Sequence, residues 1–344
     1  MASHVLWLEE CDAGSGPLVG GKAVGLGHLV RQGLRVPPGF AVTTTAYREA
    51  LAGGGRPVTV GERLAAEIAA AYRRLGGDGE VPVAVRSSAT AEDTAEASFA
   101  GEHDTYLWVR GAEAVAEHVT RCWASLFTSR AVAYRARLGI PDDELAMGVV
   151  VQAMVPAEAA GVLLTLDPLN GDPSQVTIEA AYGLGTAVVE GEVTPDRFAV
   201  DKVTMELRSR TVGEKAFADR FDPAAGRVVR AEVPADLRAR PCLEDAEVLE
   251  LAGLGKRIEQ ALGAPQDVEW AVGPDPGGER LLWLLQARPE TVWSRRPRQT
   301  IGPPGTSIMD RMLAYLGRPA APGPDSPGDH PGGPPDPPGQ AGPG

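Results

Sequence analysis

The stretch Val83–Gly101, VAVRSSATAEDTAEASFAG, joins a short apolar strand to side chains that suit phosphate. The strand, Val83–Val85, is followed at once by Arg86 and two serines, and the stretch ends on the small residues Ser98–Gly101. A guanidinium beside hydroxyls and exposable backbone N–H groups can hold a phosphate chain. The same residues also fit a strand, a polar turn and a surface arginine. The stretch alone therefore leaves both interpretations open.

A second phosphate signal precedes it. Gly20 and Gly21 lead into an apolar helical pattern whose first turn carries Lys22. A helix N-terminus with a lysine attracts phosphate through its backbone N–H groups, its dipole and its charge. A glycine turn with a solvated lysine is the alternative.

Two strands near the end of the apolar sequence carry the third signal. In Gln266–Val272, QDVEWAV, alternation places Asp267 and Glu269 on one face. In Leu281–Arg288, LLWLLQAR, Gln286 and Arg288 share a face. Pairing the strands would gather two carboxylates, an amide and a guanidinium, a set that suits Mg²⁺ bound to a polyphosphate. A half-exposed sheet with cross-strand ion pairs is the alternative.

Composition limits the function further. The chain has 344 residues, is 43% hydrophobic and carries a net charge of −13, which argues against a nucleic-acid or anionic-membrane partner. Three scattered cysteines, no signal peptide and no apolar run of membrane-spanning length favour a cytoplasmic protein without a disulfide framework.

Periodicity predicts the remaining elements. Helices are expected at Glu62–Leu75, Ala112–Leu138 and Asp245–Leu262. The apolar strands Met147–Val155 and Gly161–Thr165 are expected to pair as a hairpin, Val176–Ala180 to follow as a strand, and Phe198–Val200 with Val203–Leu207 to form a surface hairpin. Residues 298–318 read as a linker with a short helix, and the Pro- and Gly-rich residues 319–344 as a disordered tail.

Together these segments resemble the N-terminal nucleotide-binding region of phosphoenolpyruvate synthases, which pyruvate phosphate dikinases and rifamycin phosphotransferases share. The resemblance runs from about Val19 to Trp293. It is carried, in chain order, by GGKAVGLGHL at Gly20, VPPGFAVTTTAY at Val36, AVRSSATAED at Ala84, SFAGEHDTYL at Ser98, WASLFTSRAVAYR at Trp123, GVLLTLDP at Gly161, EAAYGLG at Glu179, GEVTPDRF at Gly191, QDVEW at Gln266 and LLQARPET at Leu284.

The resemblance implies an α+β, ATP-grasp-type domain over residues 1–297, with subdomains of roughly 1–150 and 151–297 and the ATP site in the cleft between them. It also implies a reaction that uses ATP and Mg²⁺. The enzyme transfers a phosphoryl group from ATP to a histidine, which then passes it to an acceptor. By this resemblance Lys22, Arg86 and Arg288 bind the phosphates and act in catalysis, and Glu269 and Gln286 bind the metal. The other implied contacts to the nucleotide are Ser98, Phe99, Ala100 and Gly101 over the phosphates, Gln152, Met154 and Val155 at the adenine, Glu179 near the ribose or adenine edge, and Asp267 beside the metal.

The sequence departs from the intact enzymes at several points, of which two concern whole domains. None of His4, His28, His103, His118 and His330 stands in the family's Thr/Ser-Gly-Gly…Ser-His-Ala setting, and no acceptor domain is evident. We therefore expect a phosphotransferase component that needs a separate phosphohistidine-domain partner. A non-catalytic ATP-binding sensor or scaffold, and a truncated rifamycin-phosphotransferase-like fragment, are the alternatives.

Overall fold

The computed structural model describes residues 3–54, 57–77, 79–89, 105–138, 145–275 and 277–294. These residues build two antiparallel sheets, each with helices packed against it, and a separate two-stranded hairpin. The mixture of helices with antiparallel sheets confirms the predicted α+β class. The predicted linker 298–318 and tail 319–344 lie outside the described residues.

The first sheet has five strands in the order β1-β2-β5-β3-β4. Their bounds are Val5–Trp7 for β1, Gly39–Val42 for β2, Val83–Ala89 for β3, Thr105–Val109 for β4 and Met147–Ala153 for β5. Strand β5 pairs with β2 on one side and β3 on the other, so its nearly continuous apolar run is buried in the middle of the sheet.

Five helices pack with the first sheet. They are α1 at Gly16–Arg31, α2 at Thr44–Gly54, α3 at Glu62–Gly76, α4 at Ala112–Ser125 and α5 at Ser129–Leu138. The apolar stripe predicted from helical spacing is core, since Val115, Val119 and Trp123 are fully buried. The chain from 112 to 138 is two helices rather than the single predicted one, because the helical hydrogen bonding is interrupted by turns at Leu126–Thr128.

The second sheet has six strands in the order β13-β12-β6-β7-β8-β9. Their bounds are Ala159–Leu164 for β6, Gln175–Tyr182 for β7, Asp196–Asp201 for β8, Leu207–Thr211 for β9, Gln266–Pro274 for β12 and Arg280–Pro289 for β13. Three helices, α6 at Thr186–Val189, α7 at Ala235–Arg238 and α8 at Asp245–Leu262, accompany them, and β10 at Phe217–Asp222 pairs with β11 at Arg227–Glu232 as the hairpin.

Helix α8 covers one face of the second sheet, in agreement with its predicted bounds. A capping box between Glu244 and Glu247 starts the helix, and Gly263, with a left-handed φ of 72°, ends it. Its apolar stripe, which includes Val248 and Ile258, packs on the strands. Asp267 and Glu269 alternate with the residues that pack on α8, so their side chains project from the opposite face of the same sheet.

The predicted hairpin of Met147–Val155 with Gly161–Thr165 is wrong. The chain leaves the first sheet after β5 and enters the second at β6, where it pairs with β7 and β12. The short segment between them, around Pro156, thus crosses from one sheet to the other. Apolar runs predict buried strands but do not specify which strands they pair with. The boundary between the two sheets lies in the loop that was predicted to be the turn of the hairpin.

The second predicted hairpin is partly wrong. Strand β8 contains Phe198–Val200, but its partner β9 begins only at Leu207, because Asp201 accepts hydrogen bonds from the N–H groups of Val203 and Thr204 and forms a turn there. The hairpin β10–β11 was not predicted. Among the described residues, no helix is both long and apolar enough to cross a membrane.

Candidate functional site

The paired strands β12 and β13 form one wall of the candidate site. Their register sets Asp267 opposite Arg288 and Glu269 opposite Gln286, which confirms the predicted pairing. A β-bulge follows directly between Glu269 and Trp270. Residues directly opposite each other in an antiparallel pair project to the same face. The two carboxylates, the amide and the guanidinium therefore share one surface.

Arg86 reaches this wall from the middle of β3, because the strand continues past the predicted Val83–Val85 to Ala89. Its Nη2 donates a hydrogen bond to the Glu269 carboxylate, and its Nη1 donates to the Leu285 carbonyl at 3.2 Å. The side chains are 15% and 24% exposed, respectively, so this ion pair is largely shielded from water. The two sheets thus meet at an arginine and a glutamate that both belong to the predicted site.

Lys22 enters the site from α1, and a glycine makes its approach possible. Gly20 interrupts the helix with φ 76° and ψ 170°, so that a regular helix begins again at the next residue with Lys22 in its first turn. A Cβ on Gly20 would lie 2.2 Å from the carbonyl oxygen of Ser88. The Lys22 Nζ donates to the Ser87 carbonyl at 2.9 Å. Close contact between α1 and β3 therefore sets Lys22 beside the backbone of Ser87, the residue after Arg86 on β3.

Helix α1 also touches the second sheet. A Cβ on Gly25 would lie 2.6 Å from the Ala287 carbonyl oxygen, so the helix backbone passes directly over β13 between Gln286 and Arg288. The glycines before and after Lys22 thus have a structural reason, which is close approach to both sheets.

The charges at this surface interact strongly. Burial acts to raise the pKa of Glu269, but the charge and hydrogen bond of Arg86 outweigh it, with the more distant charges of Lys22 and Arg288, and the pKa is lowered. Burial raises the pKa of Asp267 to about 6, against the opposing charge of Arg288. The Arg288 Nε lies 3.5 Å from Asp267 Oδ2 and half of its side chain is exposed. Glu269 therefore stays ionised well below neutral pH, while Asp267 takes up a proton near pH 6.

Polar atoms without partners concentrate here. Nine buried side-chain polar atoms among the described residues lack a hydrogen-bond partner, and four belong to this surface. They are Arg86 Nε, Ser88 Oγ, Asp267 Oδ1 and Gln286 Oε1. Buried polar groups are ordinarily paired, so a cluster of orphans indicates a missing polar ligand. Two are oxygens that suit a hard cation, and two are donors that suit an anion.

The donor set fits Mg²⁺ bound with a polyphosphate better than a metal held by protein alone. No group of three or more His, Cys, Asp or Glu side chains in the described ranges could hold a metal ion. Two carboxylates and one amide leave ligand positions for water and phosphate oxygens, which Mg²⁺ commonly keeps.

The segment predicted to hold adenine lies next to this surface. Val155 packs on Ala160 and Ala271, and Ala271 stands two residues from Glu269 on β12. The Met154 N–H already donates to the Pro82 carbonyl at 2.9 Å. Gln152 lies within the ladder between β2 and β3, and its side-chain amide donates to the Pro37 carbonyl at 3.3 Å.

Backbone recognition at this segment is therefore restricted. The Met154 carbonyl and the Val155 N–H have no hydrogen-bond partner among the described residues, whereas the Val155 carbonyl accepts from the Ala157 N–H at 2.8 Å. These two groups belong to one planar trans peptide and point in opposite directions, so only one of them can face a given purine edge.

Glu179 lies on the same cross-strand row of the second sheet as Glu269, but not next to Glu269 and Gln286. The register runs from Glu269 through Val162 to Glu179, so the two glutamates are separated by two strand spacings, about 10 Å. The Glu179 carboxylate accepts hydrogen bonds from Arg197. Ser98, Phe99, Ala100 and Gly101, predicted to cover the phosphates, lie outside the described residues.

The sequence did not reveal the role of Glu290. Its carboxylate accepts hydrogen bonds from the N–H groups of Val292, Trp293 and Ser294 and organises the chain just after β13. Its charge also contributes to the raised pKa of Asp267. An acidic residue directly after a strand-ending proline was the only available signal.

Two surface pockets of about 320 and 310 Å³ lie elsewhere. The first is lined by the C-terminal turns of α1 and α8, and the second by residues such as Tyr182, Arg220 and Arg280. Neither includes a residue of the candidate site.

Comparison with known proteins identifies the chain's relatives. The family model described as pyruvate phosphate dikinase, AMP/ATP-binding domain, matches residues 16–59 and 56–303. The phosphoenolpyruvate synthase of Aeropyrum pernix is 38% identical over an alignment of 379 residues, which covers 93% of this chain and 46% of that protein. A probable phosphoenolpyruvate synthase of Methanothermobacter thermautotrophicus is 39% identical, with coverages of 94% and 50%. The rifampicin phosphotransferase of Streptomyces sviceus is 40% identical, with coverages of 84% and 36%. The chain thus spans half or less of the length of these relatives.

Proposed function

Because the chain belongs to the pyruvate phosphate dikinase AMP/ATP-binding domain family, we propose that it is the ATP-using component of a phosphotransferase. In this proposal ATP and Mg²⁺ bind between the two sheets, in an ATP-grasp-type arrangement with subdomains of roughly 1–150 and 151–297. The phosphoryl or pyrophosphoryl group then passes to a histidine on a separate domain or chain.

One observation carries the proposal: the four orphaned polar atoms of Arg86, Ser88, Asp267 and Gln286 belong to the strands β3, β12 and β13 that the Arg86–Glu269 contact joins, two as donors and two as acceptors. Lys22 and Arg288 add positive charge at the same place, as their lowering of the Glu269 pKa indicates. A nucleotide polyphosphate with a divalent cation supplies both signs of charge in one ligand.

In this proposal the cationic side chains bind phosphate and the side chains with oxygen ligands bind the metal. Arg86, Lys22 and Arg288 would bind phosphate oxygens and hold the β-phosphate in line with an incoming histidine. Attack there breaks the bond to the α-phosphate and releases AMP, and water then removes the outer phosphate from the pyrophosphorylated histidine as inorganic phosphate. Positioning with charge neutralisation is the main requirement of such a transfer. Glu269, Gln286 and Asp267 would hold Mg²⁺. Bound there, Mg²⁺ would neutralise and orient the polyphosphate oxygens. Either the Met154 carbonyl or the Val155 N–H would meet the adenine edge, since the two point in opposite directions. Glu179 would need release from Arg197 to reach the nucleoside.

The acceptor chemistry is assigned to the partner. The relatives' names specify phosphoenolpyruvate synthesis in some cases and rifampicin phosphorylation in another. None of the site residues named above is a histidine. The proposal therefore places the phosphorylated histidine on the partner.

The test is a reconstitution. The purified chain is incubated with ATP and Mg²⁺, with and without a candidate protein that carries a Thr-Gly-Gly…Ser-His-Ala segment. We expect partner-dependent AMP and acid-labile phosphohistidine on the partner, and Glu269→Gln should abolish both.

Two outcomes would contradict the proposal. ATP binding without AMP or phosphohistidine for every candidate partner would favour a sensor or scaffold. Failure to bind ATP at all would contradict the nucleotide site itself.

A further inference from the structure

Two of the proposed ligand-binding groups contact each other in the structure. The guanidinium of Arg86, assigned to phosphate, is hydrogen-bonded to the carboxylate of Glu269, assigned to the metal. Neither side chain can bind its own ligand fully while this pair is closed.

Opening the pair on one side only is unfavourable. A cation that captured Glu269 alone would leave Arg86, with 15% of its side chain exposed, without a counter-ion. A phosphate that captured Arg86 alone would leave the Glu269 carboxylate unpaired beside more negative charge. Removing one member of a shielded ion pair costs more than the exposed pairs on the protein surface would suggest.

The neighbouring cations are not placed to replace Arg86. The Lys22 Nζ donates to the Ser87 carbonyl, and the Arg288 Nε faces Asp267 at 3.5 Å. Both act on the Glu269 pKa through their charge, but no hydrogen bond joins either of them to Glu269 among the described contacts.

We propose that the Arg86–Glu269 ion pair is an exchange lock that makes metal binding and polyphosphate binding mutually dependent. When both ligands arrive, Arg86 transfers its hydrogen bond from Glu269 to phosphate, and Glu269 transfers its carboxylate from Arg86 to the metal. The inference rests on the proposed function, because it assumes that these residues form the nucleotide site. By linkage, each ligand raises the affinity for the other by the same factor.

The lock predicts that removing either member of the ion pair raises the affinity for the other member's ligand. Simple loss of a ligand-binding group would not raise any affinity. In Arg86→Gln, Glu269 is released, so Mn²⁺ alone should bind about tenfold or more tighter than to the wild type, measured by electron paramagnetic resonance without nucleotide. In Glu269→Gln, Arg86 is released, so inorganic tripolyphosphate in EDTA should bind tighter than to the wild type, measured by calorimetry. The two arms are independent, so a folding failure of one variant leaves the other decisive.

Lys22→Gln is the matched control. It removes a positive charge that acts on Glu269 without breaking a hydrogen bond to Glu269 or Asp267, so its Mn²⁺ affinity should rise much less than that of Arg86→Gln. Equal gains in both variants, or no gain in either arm with folded variants, would overturn the lock. Binding of a non-hydrolysable ATP analogue with Mg²⁺ to the wild type is measured in parallel. Loss of that binding contradicts the proposed function, whereas binding without the two gains contradicts only the lock.

Discussion

At the scale of single residues, Asp267 stands out because its environment disfavours its charge. Burial raises its pKa from 3.8 to about 6. The native state therefore holds this proton more tightly than the unfolded chain, so the contribution of Asp267 to stability falls as pH rises from about 4 to about 6 and stays lost at pH 7. The neighbouring Glu269 has the opposite shift, since its arginine partner outweighs its burial. Two carboxylates on one strand thus differ because one has a close counter-ion and the other has a half-exposed one.

Asp267→Asn should stabilise the metal-free protein at neutral pH. The shift corresponds to at most about 3 kcal/mol in the free energy of unfolding. We expect the variant to exceed the wild type by up to this amount at pH 7 and to match it near pH 4, in urea unfolding with EDTA present. An equal difference at both pH values would contradict the assigned cause. The lost contact to Arg288 should matter little, because that side chain is half exposed.

A second residue-scale prediction concerns a fully buried ion pair outside the site. Lys215 and Asp196 are both 0% exposed, and the lysine also donates to the carbonyls of Gly213 and Arg238. Lys215→Met would leave a buried carboxylate without its counter-ion, so we expect a loss of about 3–5 kcal/mol in chemical unfolding. Arg63→Met is the control, because Arg63 is 68% exposed in its pair with Glu67 and should cost less than about 1 kcal/mol. Comparable losses in the two variants would show that burial does not govern the cost.

At the scale of elements, the sequence predicted the strands better than their partners. The pairing of β12 with β13 followed from alternation, because polar residues two positions apart must share a face. The pairing of β5 with β6 was wrong, because both are apolar runs and only tertiary packing assigns them to different sheets. The contact of Arg86 with Glu269 joins residues 183 positions apart and has no local signal. The resemblance named both residues without indicating that they touch.

The junction of α1 with β3 gives an element-scale prediction. Gly20→Ala adds a Cβ 2.2 Å from a backbone oxygen at φ 76°, so α1 must move away from β3 and take Lys22 with it. We expect a loss of more than about 2 kcal/mol in unfolding and a weaker binding of Mg-ATP. Gly33→Ala is the matched control, since Gly33 has φ 66° but nothing within 4 Å of the added Cβ. It should cost about 1 kcal/mol and leave nucleotide binding unchanged. Weaker Mg-ATP binding in both variants would show that the loss of binding does not come from the displacement of Lys22.

At the scale of the whole molecule, the proposed ligand joins two sheets that have separate cores. The first sheet and its helices bury one large cluster, and the second sheet with α8 buries another. Helix α1, Arg86 and the Arg86–Glu269 pair link them at the site. A ligand held by residues of both sheets must therefore restrain both at once, whereas a ligand held by one sheet would protect that sheet alone.

Hydrogen exchange can distinguish these cases. A non-hydrolysable ATP analogue with Mg²⁺ should slow exchange in β3 and in β12–β13 together, and leave the remote hairpin β10–β11 unchanged as an internal reference. Lys22→Met alters only the first side and Arg288→Met only the second, yet each should reduce the protection on both sides, because the phosphates need cations from both. Protection that persists in β12–β13 when Lys22 is lost would mean that the second sheet binds the ligand alone. In that case the cleft would not be the binding site, and the lock between Arg86 and Glu269 would have no ligand to release it.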